Sequence, residues 1–457
     1  MSDLVIRGGT VAAPGGVSVA DIAVTDGVIS AVGPNLPAAP EEIDATGLHV
    51  LPGGIDSHVH FNEPGHTDWE TIANGSAALA AGGYTAFVDM PLNSLPVTVD
   101  GEAFDQKLAA ASASSALDFG LWGGLVPGNL DRLEELHARG VLGFKAFMCP
   151  SGLEEFPACD ESTLREGMRR IAALGSILLL HAEDAEVIDM LSREAIAHGM
   201  TGARDFARSR PANAELNAIS RAISFAEETS CALHIVHVST AQGMRWIQEA
   251  QTTGVNVTGE TCPHYLLYTE DDLERLGGLG KCTPPFRTDQ DREELWAMLA
   301  DGSLPMVVSD HSPSSPDLKR GEDFFKVWGG ISGCQSTRQL LLEGAHQRSI
   351  DVAVIAAATA TNVARRFGLS RKGEVAVGFD ADLWLADLSH ESVVRREDLL
   401  CKHPISAHEG QPTRGRTVMT MVRGRTVFAG GRIISGPRSR LLRLAGRPVD
   451  QRSRGSE

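Results

Sequence analysis

Apolar positions along the chain fall into two alternating textures. Up to about residue 50, short β-rich runs (Leu4-Val5-Ile6-Arg7, Val17 to Val24, Val28-Ile29-Ser30-Ala31-Val32) are separated by glycine turns, which predicts a small antiparallel sheet. The texture returns late, in Ala381-Asp382-Leu383-Trp384-Leu385 and Thr417-Val418-Met419-Thr420-Met421-Val422. Ile6-Arg7-Gly8-Gly9-Thr10-Val11 is even echoed by Val422-Arg423-Gly424-Arg425-Thr426-Val427. Residues 1–52 and 373–436 are therefore expected to share one small β-sandwich domain. Between them, apolar runs near 54–60, 84–90, 118–124, 141–147, 176–181, 233–238, 255–260 and 305–310 alternate with helix-like stretches. These stretches include Glu102 to Ala113, Glu161 to Leu174, Ala185 to His198 and Ala212 to Glu228. The fold class expected is α/β, a (β/α)8 TIM-like barrel over 53–372. The segment 437–457 carries six arginines against Asp450 and Glu457 and reads as a basic, disordered tail.

Composition narrows the function classes. A content of 42% apolar, 22% charged and 5% aromatic residues describes an ordinary globular protein. The net charge of −18 repels a phosphate backbone and an anionic membrane, so nucleic acid and membrane are not expected partners. Seven scattered cysteines without a CxxC pair match a reduced cytoplasmic protein, and Met1-Ser2-Asp3-Leu4 shows no targeting signal. A small-molecule substrate is the remaining expectation.

Candidate chemistry sits where apolar runs end. The first barrel run closes on Asp56-Ser57-His58-Val59-His60, whose two imidazoles share a strand face in a metal-chelating geometry. His181 closes Ile177-Leu178-Leu179-Leu180, His237 closes Leu233-His234-Ile235-Val236, and Asp310 closes Met306-Val307-Val308-Ser309. Barrel enzymes place their reacting groups at strand C-terminal ends. By the pleat, His237 shares its face with Leu233 and Ile235 while His234 lies opposite, which favours His237 as the ligand. Lys145, within Gly143-Phe144-Lys145-Ala146-Phe147-Met148, lies on an interior strand where an ammonium needs a carboxylate partner or a modification such as carboxylation.

These residues, with Gly53 to Gly65, Asp89-Met90-Pro91-Leu92-Asn93-Ser94, Lys145-Ala146-Phe147-Met148, His181-Ala182-Glu183, His237-Val238-Ser239, Glu260-Thr261-Cys262-Pro263-His264-Tyr265, Lys281-Cys282-Thr283-Pro284-Pro285 and Ser309-Asp310-His311-Ser312-Pro313, carry a resemblance. The chain resembles the amidohydrolase superfamily of cyclic amidases, which takes in dihydroorotases, hydantoinases and allantoinases, and looks most like the allantoinases. The resemblance spans residues 1 to about 435. It implies two divalent metal ions, with zinc expected and cobalt, manganese or nickel compatible with the ligands. By the same resemblance His58, His60 and Asp310 hold one metal, His181 and His237 the other, and carboxylated Lys145 bridges them. Asp310 then carries the proton from a metal-activated hydroxide to the departing ring nitrogen.

Two departures bear on the ring. Dihydroorotases carry an arginine at the position of Asn62 to pair the substrate carboxylate, and hydantoinases carry a tyrosine at the position of Pro150. Both absences suit allantoin, opened at its hydantoin amide to allantoate in purine breakdown, with a hydantoinase or dihydropyrimidinase as the second reading. A non-catalytic scaffold of the same fold is the reading from another class, and it has no need of all six metal positions. Asn62, Asn93 and Cys282 are expected at the substrate, and His264 and His311 behind the ligands. A homotetramer is implied by the resemblance alone.

Overall fold

The computed structural model describes residues 2–434 and 439–444. Within them the two chain ends form one sheet of nine strands. The beginning contributes Leu4–Ala13, Gly16–Thr25, Val28–Gly33, Glu41–Asp44 and His49–Pro52, and the end Leu383–Val393, Pro412–Val422, Arg425–Ala429 and Arg432–Ile433. The seam is the antiparallel pair of His49–Pro52 with Leu383–Val393, where Val50 faces Leu385. Leu4, Ile6, Val11, Ile22, Val24 and Val50 meet Leu383, Leu385 and Met421 in a core of their own. The hairpin at Asp26-Gly27 has φ of +52° and +77°, the mirror-image turn that matches strand twist. A Cβ on Gly27 would lie 2.9 Å from the Arg423 carbonyl, so the turn residue also lets the two ends touch. The echoed sequences play different parts. The first is one strand with a register shift between Ile6 and Gly9, and the second turns a hairpin at Arg423-Gly424.

The barrel strands are Gly54–Val59, Tyr84–Asp89, Asp118–Leu121 with Gly123–Gly124, Phe144–Phe147, Ile177–His181, Ala232–Ile235 and Val257–Gly259. Their pairings are parallel. Leu142 N donates to Leu121 O, and Gly123 N to Gly143 O, which joins the third strand to the fourth. The eighth segment is not the regular strand expected over 305–310. It closes the ring through single bridges, Val307 to Thr261 and His311 to Val59, because left-handed backbone at Asp310 (φ +45°) interrupts extended pairing.

The pleat sorts the strand residues. Phe144, Leu178, Leu180, Leu233 and Ile235 pack among helix residues such as Leu164, Ile219 and Ile247, while Ile55, Ala86, Val88, Trp122, Leu142 and Leu179 face one another inside. The helices Gly101–Ser114, Glu161–Ala173, Ala185–Ala197 and Ala212–Thr229 lie within two residues of their expected bounds. The first three are capped by Asp100, Asp160 and Asp184, whose carboxylates accept otherwise orphaned N–H groups.

A buried ion cluster ties barrel to sheet. Lys372 Nζ lies 2.8 Å from Asp118, 3.0 Å from Asp380 and 2.6 Å from Asp382. Asp118 also accepts from Arg440 N at 2.8 Å. The free tail expected from 437 is thus corrected for 439–444. Phe119 N donates to Arg440 O and Leu442 N to Phe119 O, while Leu442 buries itself against the barrel interior. The remaining tail positions lie outside the described residues. Among the described residues no helix is long and apolar enough to cross a membrane.

Candidate active site

A cavity of about 430 Å³ opens at the C-terminal mouth of the barrel, and His58, His60, Lys145, His181, His237 and Asp310 all line it. The structure therefore brings together every residue expected as a metal ligand. Asp310 Oδ1 lies 3.2 Å from His58 Nε2 and 3.5 Å from His60 Nε2. His181 Nδ1 lies 3.0 Å from His237 Nε2. Ligand atoms of His58, His237 and Asp310 fall within 4.8 Å of one another. Lys145 Nζ is buried without a hydrogen-bond partner, 5.1 Å from the Phe147 ring centroid.

Burial decides the protonation states. It holds His58, His181 and His237 below the usual imidazole range, in the neutral form that ligates metals. It also lowers Lys145 to about 7, against the opposing pull of Asp310 and Glu260. Converging lone pairs and an orphaned buried amine make no sense as protein–protein bonding. They fit a centre that takes divalent cations.

His237 reaches this centre for a different reason from the one the pleat suggests. Leu233 and Ile235 face the helices, and it is His234 that faces inward. The strand ends at Ile235, and left-handed backbone at His237 (φ +40°) swings its ring back to the cavity. His234 sits beneath, with Nδ1 2.7 Å from Thr258 Oγ1 and Nε2 3.0 Å from Glu260 Oε2.

Two carboxylates to which the sequence alone assigns no role hold the ligands. Glu260, wholly buried, accepts from His58 Nδ1 at 2.7 Å, which fixes Nε2 as the free lone pair. Burial pushes its carboxyl up to about 8, with Lys145 opposing. Glu183 accepts from His181 Nε2 at 2.8 Å and from Arg210 Nη1 at 2.5 Å. Burial raises the Glu183 carboxyl while Arg210 and His181 lower it, and the balance holds it below the usual range.

The other expected residues divide. Asn93 and Cys282 line the cavity. Asn62 adopts φ +63°, donates Nδ2 to Pro313 O at 3.0 Å and does not line the cavity, while its buried Oδ1 has no hydrogen-bond partner. The left-handed turn directs the amide nitrogen to the next loop and leaves the amide oxygen without a protein donor. His264 is buried with both ring nitrogens unpartnered, and a ring nitrogen lies within 4.8 Å of an Asp310 oxygen. His311 accepts from Gly333 N at 3.1 Å, and its carbonyl accepts from His60 N, so it braces the first strand from behind. Pro150 lines the cavity, as do Phe206 on the short helix Ala203–Arg208, Arg210, Lys281, Phe325, Lys326 and Trp328.

Comparison with known proteins agrees with this geometry. Residues 49–427 match the amidohydrolase family model. The chain is 56% identical over 443 residues to an allantoinase of Rubrobacter xylanophilus, covering 96% of this chain and 97% of that protein. It is 52% identical over 444 residues to an allantoinase of Solibacter usitatus, covering 97% of each. The solved structure of an L-hydantoinase (dihydropyrimidinase) from Arthrobacter aurescens superposes with a TM-score of 0.94 at 31% identity, covering 97% of this chain and 100% of that one.

Proposed function

We propose that this chain, which belongs to the amidohydrolase family, hydrolyses the ring amide of allantoin to allantoate, a step of purine breakdown. The observation that carries this is the convergence of four imidazoles, a buried lysine and Asp310 in one barrel-mouth cavity of a chain similar to allantoinases along nearly its whole length. The donors suit two divalent cations, for which we propose zinc. His58, His60 and Asp310 would hold one, His181 and His237 the other, and carboxylated Lys145 both. Such ions, when bound, acidify a water and polarise a carbonyl.

The protein's own groups supply the rest. Asp310 takes the proton of the attacking water and returns it to the ring nitrogen as the amide opens. Glu260 and Glu183 keep His58 and His181 in the ligating tautomer. Buried free cysteines support a reducing cytoplasmic setting, and the sequence resemblance supports a homotetramer.

The test compares kcat/KM for allantoin, dihydroorotate, dihydrouracil and an aryl hydantoin at one pH and one metal loading. Allantoin is expected to lead. An aryl hydantoin or dihydrouracil that matches it replaces this reading with that of a hydantoinase, which the Arthrobacter structural likeness keeps as the second candidate.

A further inference from the structure

One wall of the cavity, Phe325-Lys326-Val327-Trp328-Gly329-Gly330, belongs to no helix or strand. Its carbonyls are held by two lysine side chains instead. Lys281 Nζ donates to Phe324 O at 2.6 Å and to Val327 O at 2.5 Å. Lys319 Nζ donates to Trp328 O at 3.1 Å and also to Gly330 O. Each nitrogen uses two donors, which an ammonium and a neutral amine both have, so the burial that lowers Lys281 to about 8 and Lys319 to about 7 leaves the bonds intact. Lys281 also lies 4.4 Å from the Phe206 ring centroid, a second cavity residue.

The wall is braced at both sides. Gly330 has φ +115°, and a Cβ there would lie 2.4 Å from Ser312 O, so the backbone presses directly on the loop after Asp310. Trp328 meets Trp69 edge-on at 5.0 Å, Trp69 stacks on His66 at 4.3 Å, and His66 Nδ1 donates to Asn93 O at 2.8 Å. Asn93 lines the cavity as well. The rim is thus one arch running from the two lysines to Asn93.

Resting on the allantoin reading, we propose that Lys281 and Lys319 are positioning residues that preform this wall as the subsite for the ureido arm, so that they govern KM and the choice of ring substituent. With the scissile amide held at His58 and Asp310, the exocyclic arm is the part of the substrate left to reach the rim. A wall that must be ordered on each binding event weakens affinity without touching the chemical step.

The experiment uses the metal-loaded enzyme and Lys319→Met, since Lys319 does not line the cavity. Expected are a rise of about tenfold in KM for allantoin with kcat held within about twofold, and recovery in Lys319→Arg. Unsubstituted hydantoin, which lacks the arm, keeps its KM. Hydrogen exchange over residues 323–330 accelerates in Lys319→Met, a readout that needs no substrate. Unchanged exchange, or faster exchange with unchanged KM, overturns the proposal, as does a fall in kcat with KM held. If Lys319→Met does not fold, Trp328→Ala probes the same wall, and an unchanged KM there overturns it equally. Poor allantoin turnover by the unmodified enzyme fails the allantoin reading and takes the subsite with it. With allantoin turned over, the variant-to-parent ratio alone decides.

Discussion

Replacing Glu260 tests whether the centre depends on a charge held behind its ligands. Glu260 Oε1 accepts from His58 Nδ1 at 2.7 Å, and Oε2 accepts from Ser57 Oγ at 3.4 Å and lies 3.0 Å from His234 Nε2. Glu260→Gln keeps the shape and one acceptor but removes the charge that the carboxyl, raised to about 8 chiefly by burial, would carry once cations sit in front of it. A hydrogen bond to a charged group contributes about 1.5–3 kcal/mol and a neutral one about 0.5–1.5 kcal/mol. The difference, about 1–1.5 kcal/mol, corresponds to roughly fivefold to tenfold weaker metal retention. Glu260→Ala also strands the buried His58 donor at a further cost of about 1–3 kcal/mol, so its loss should approach about a hundredfold. The assay is metal content by mass spectrometry after dialysis against graded chelator, with thermal unfolding alongside. Glu260→Gln giving up metal at the parent's chelator concentration refutes the charge argument. Glu260→Ala doing so refutes any role for the residue.

Three further outcomes are expected. Because burial lowers Lys145 to about 7, its amine is protonated and inert on the acid side and nucleophilic on the alkaline side, so metal-free protein should take up ¹³C-bicarbonate as a carbamate increasingly between about pH 6 and about pH 8. A carbamate resonance that is flat with pH, or present in Lys145→Ala, contradicts this. Asn62→Gly should keep KM within about twofold, whereas Asn62→Val should lose about 1–2 kcal/mol in denaturant titration through its left-handed backbone; a tenfold KM rise in Asn62→Gly would return the amide to the subsite. Lys372→Met leaves the buried Asp382 without its lysine cation, while Arg423 and Arg371 still pair with Asp118 and Asp380, and denaturant unfolding should register a loss of about 3 kcal/mol. A loss under about 1 kcal/mol would mean that water reaches the cluster.

The barrel ligands were legible because each apolar run ends in one polar residue, and a parallel strand that ends at the mouth has nowhere else to put it. The same rule points to Glu260, which follows Val257–Gly259 as Asp310 follows its own run, but proximity to His58 lies some two hundred positions away in sequence and leaves no local mark. His237 shows the rule outlasting its rationale. The strand ends two residues early, and one left-handed residue reverses the face that alternation assigns. Asn62 sits off the cavity lining for the related reason that a left-handed turn residue aims its side chain by the turn. The wall at 325–330 leaves no mark in the sequence, since carbonyls held by lysine side chains, one nearby and one 46 residues away, obey no period. The tail failed where composition outweighed Leu441-Leu442, a short apolar pair sufficient to dock on the third barrel strand.

With Asn62 Nδ2 committed to Pro313 O, the reason an anionic ring should be a poor substrate lies with the cavity's cations. The lack of an arginine at that position does not leave the cavity without cations, since Arg210, Lys281 and Lys326 line it. What matters is how they are engaged. The Arg210 guanidinium is 2.5 Å from Glu183, which also holds His181, so turning it toward a substrate carboxylate would strand a buried carboxylate and release a ligand. Lys281 is committed to two carbonyls of the wall. Lys326 is the exposed one, paired with Asp323 at 2.9 Å in solvent, where a charge contact is worth little. With Lys145 carboxylated, dihydroorotate would therefore enter a cavity whose other buried side-chain cations already have partners, inside a protein of net charge −18 that repels it on approach. An uncharged ureide meets neither penalty, and its donors and acceptors need only fixed backbone and side-chain partners on a wall held in place. Discrimination between the two rings then arises because the cavity's charges are bound to the protein's own groups before substrate arrives, and it persists at high salt to the extent that those pairings are buried.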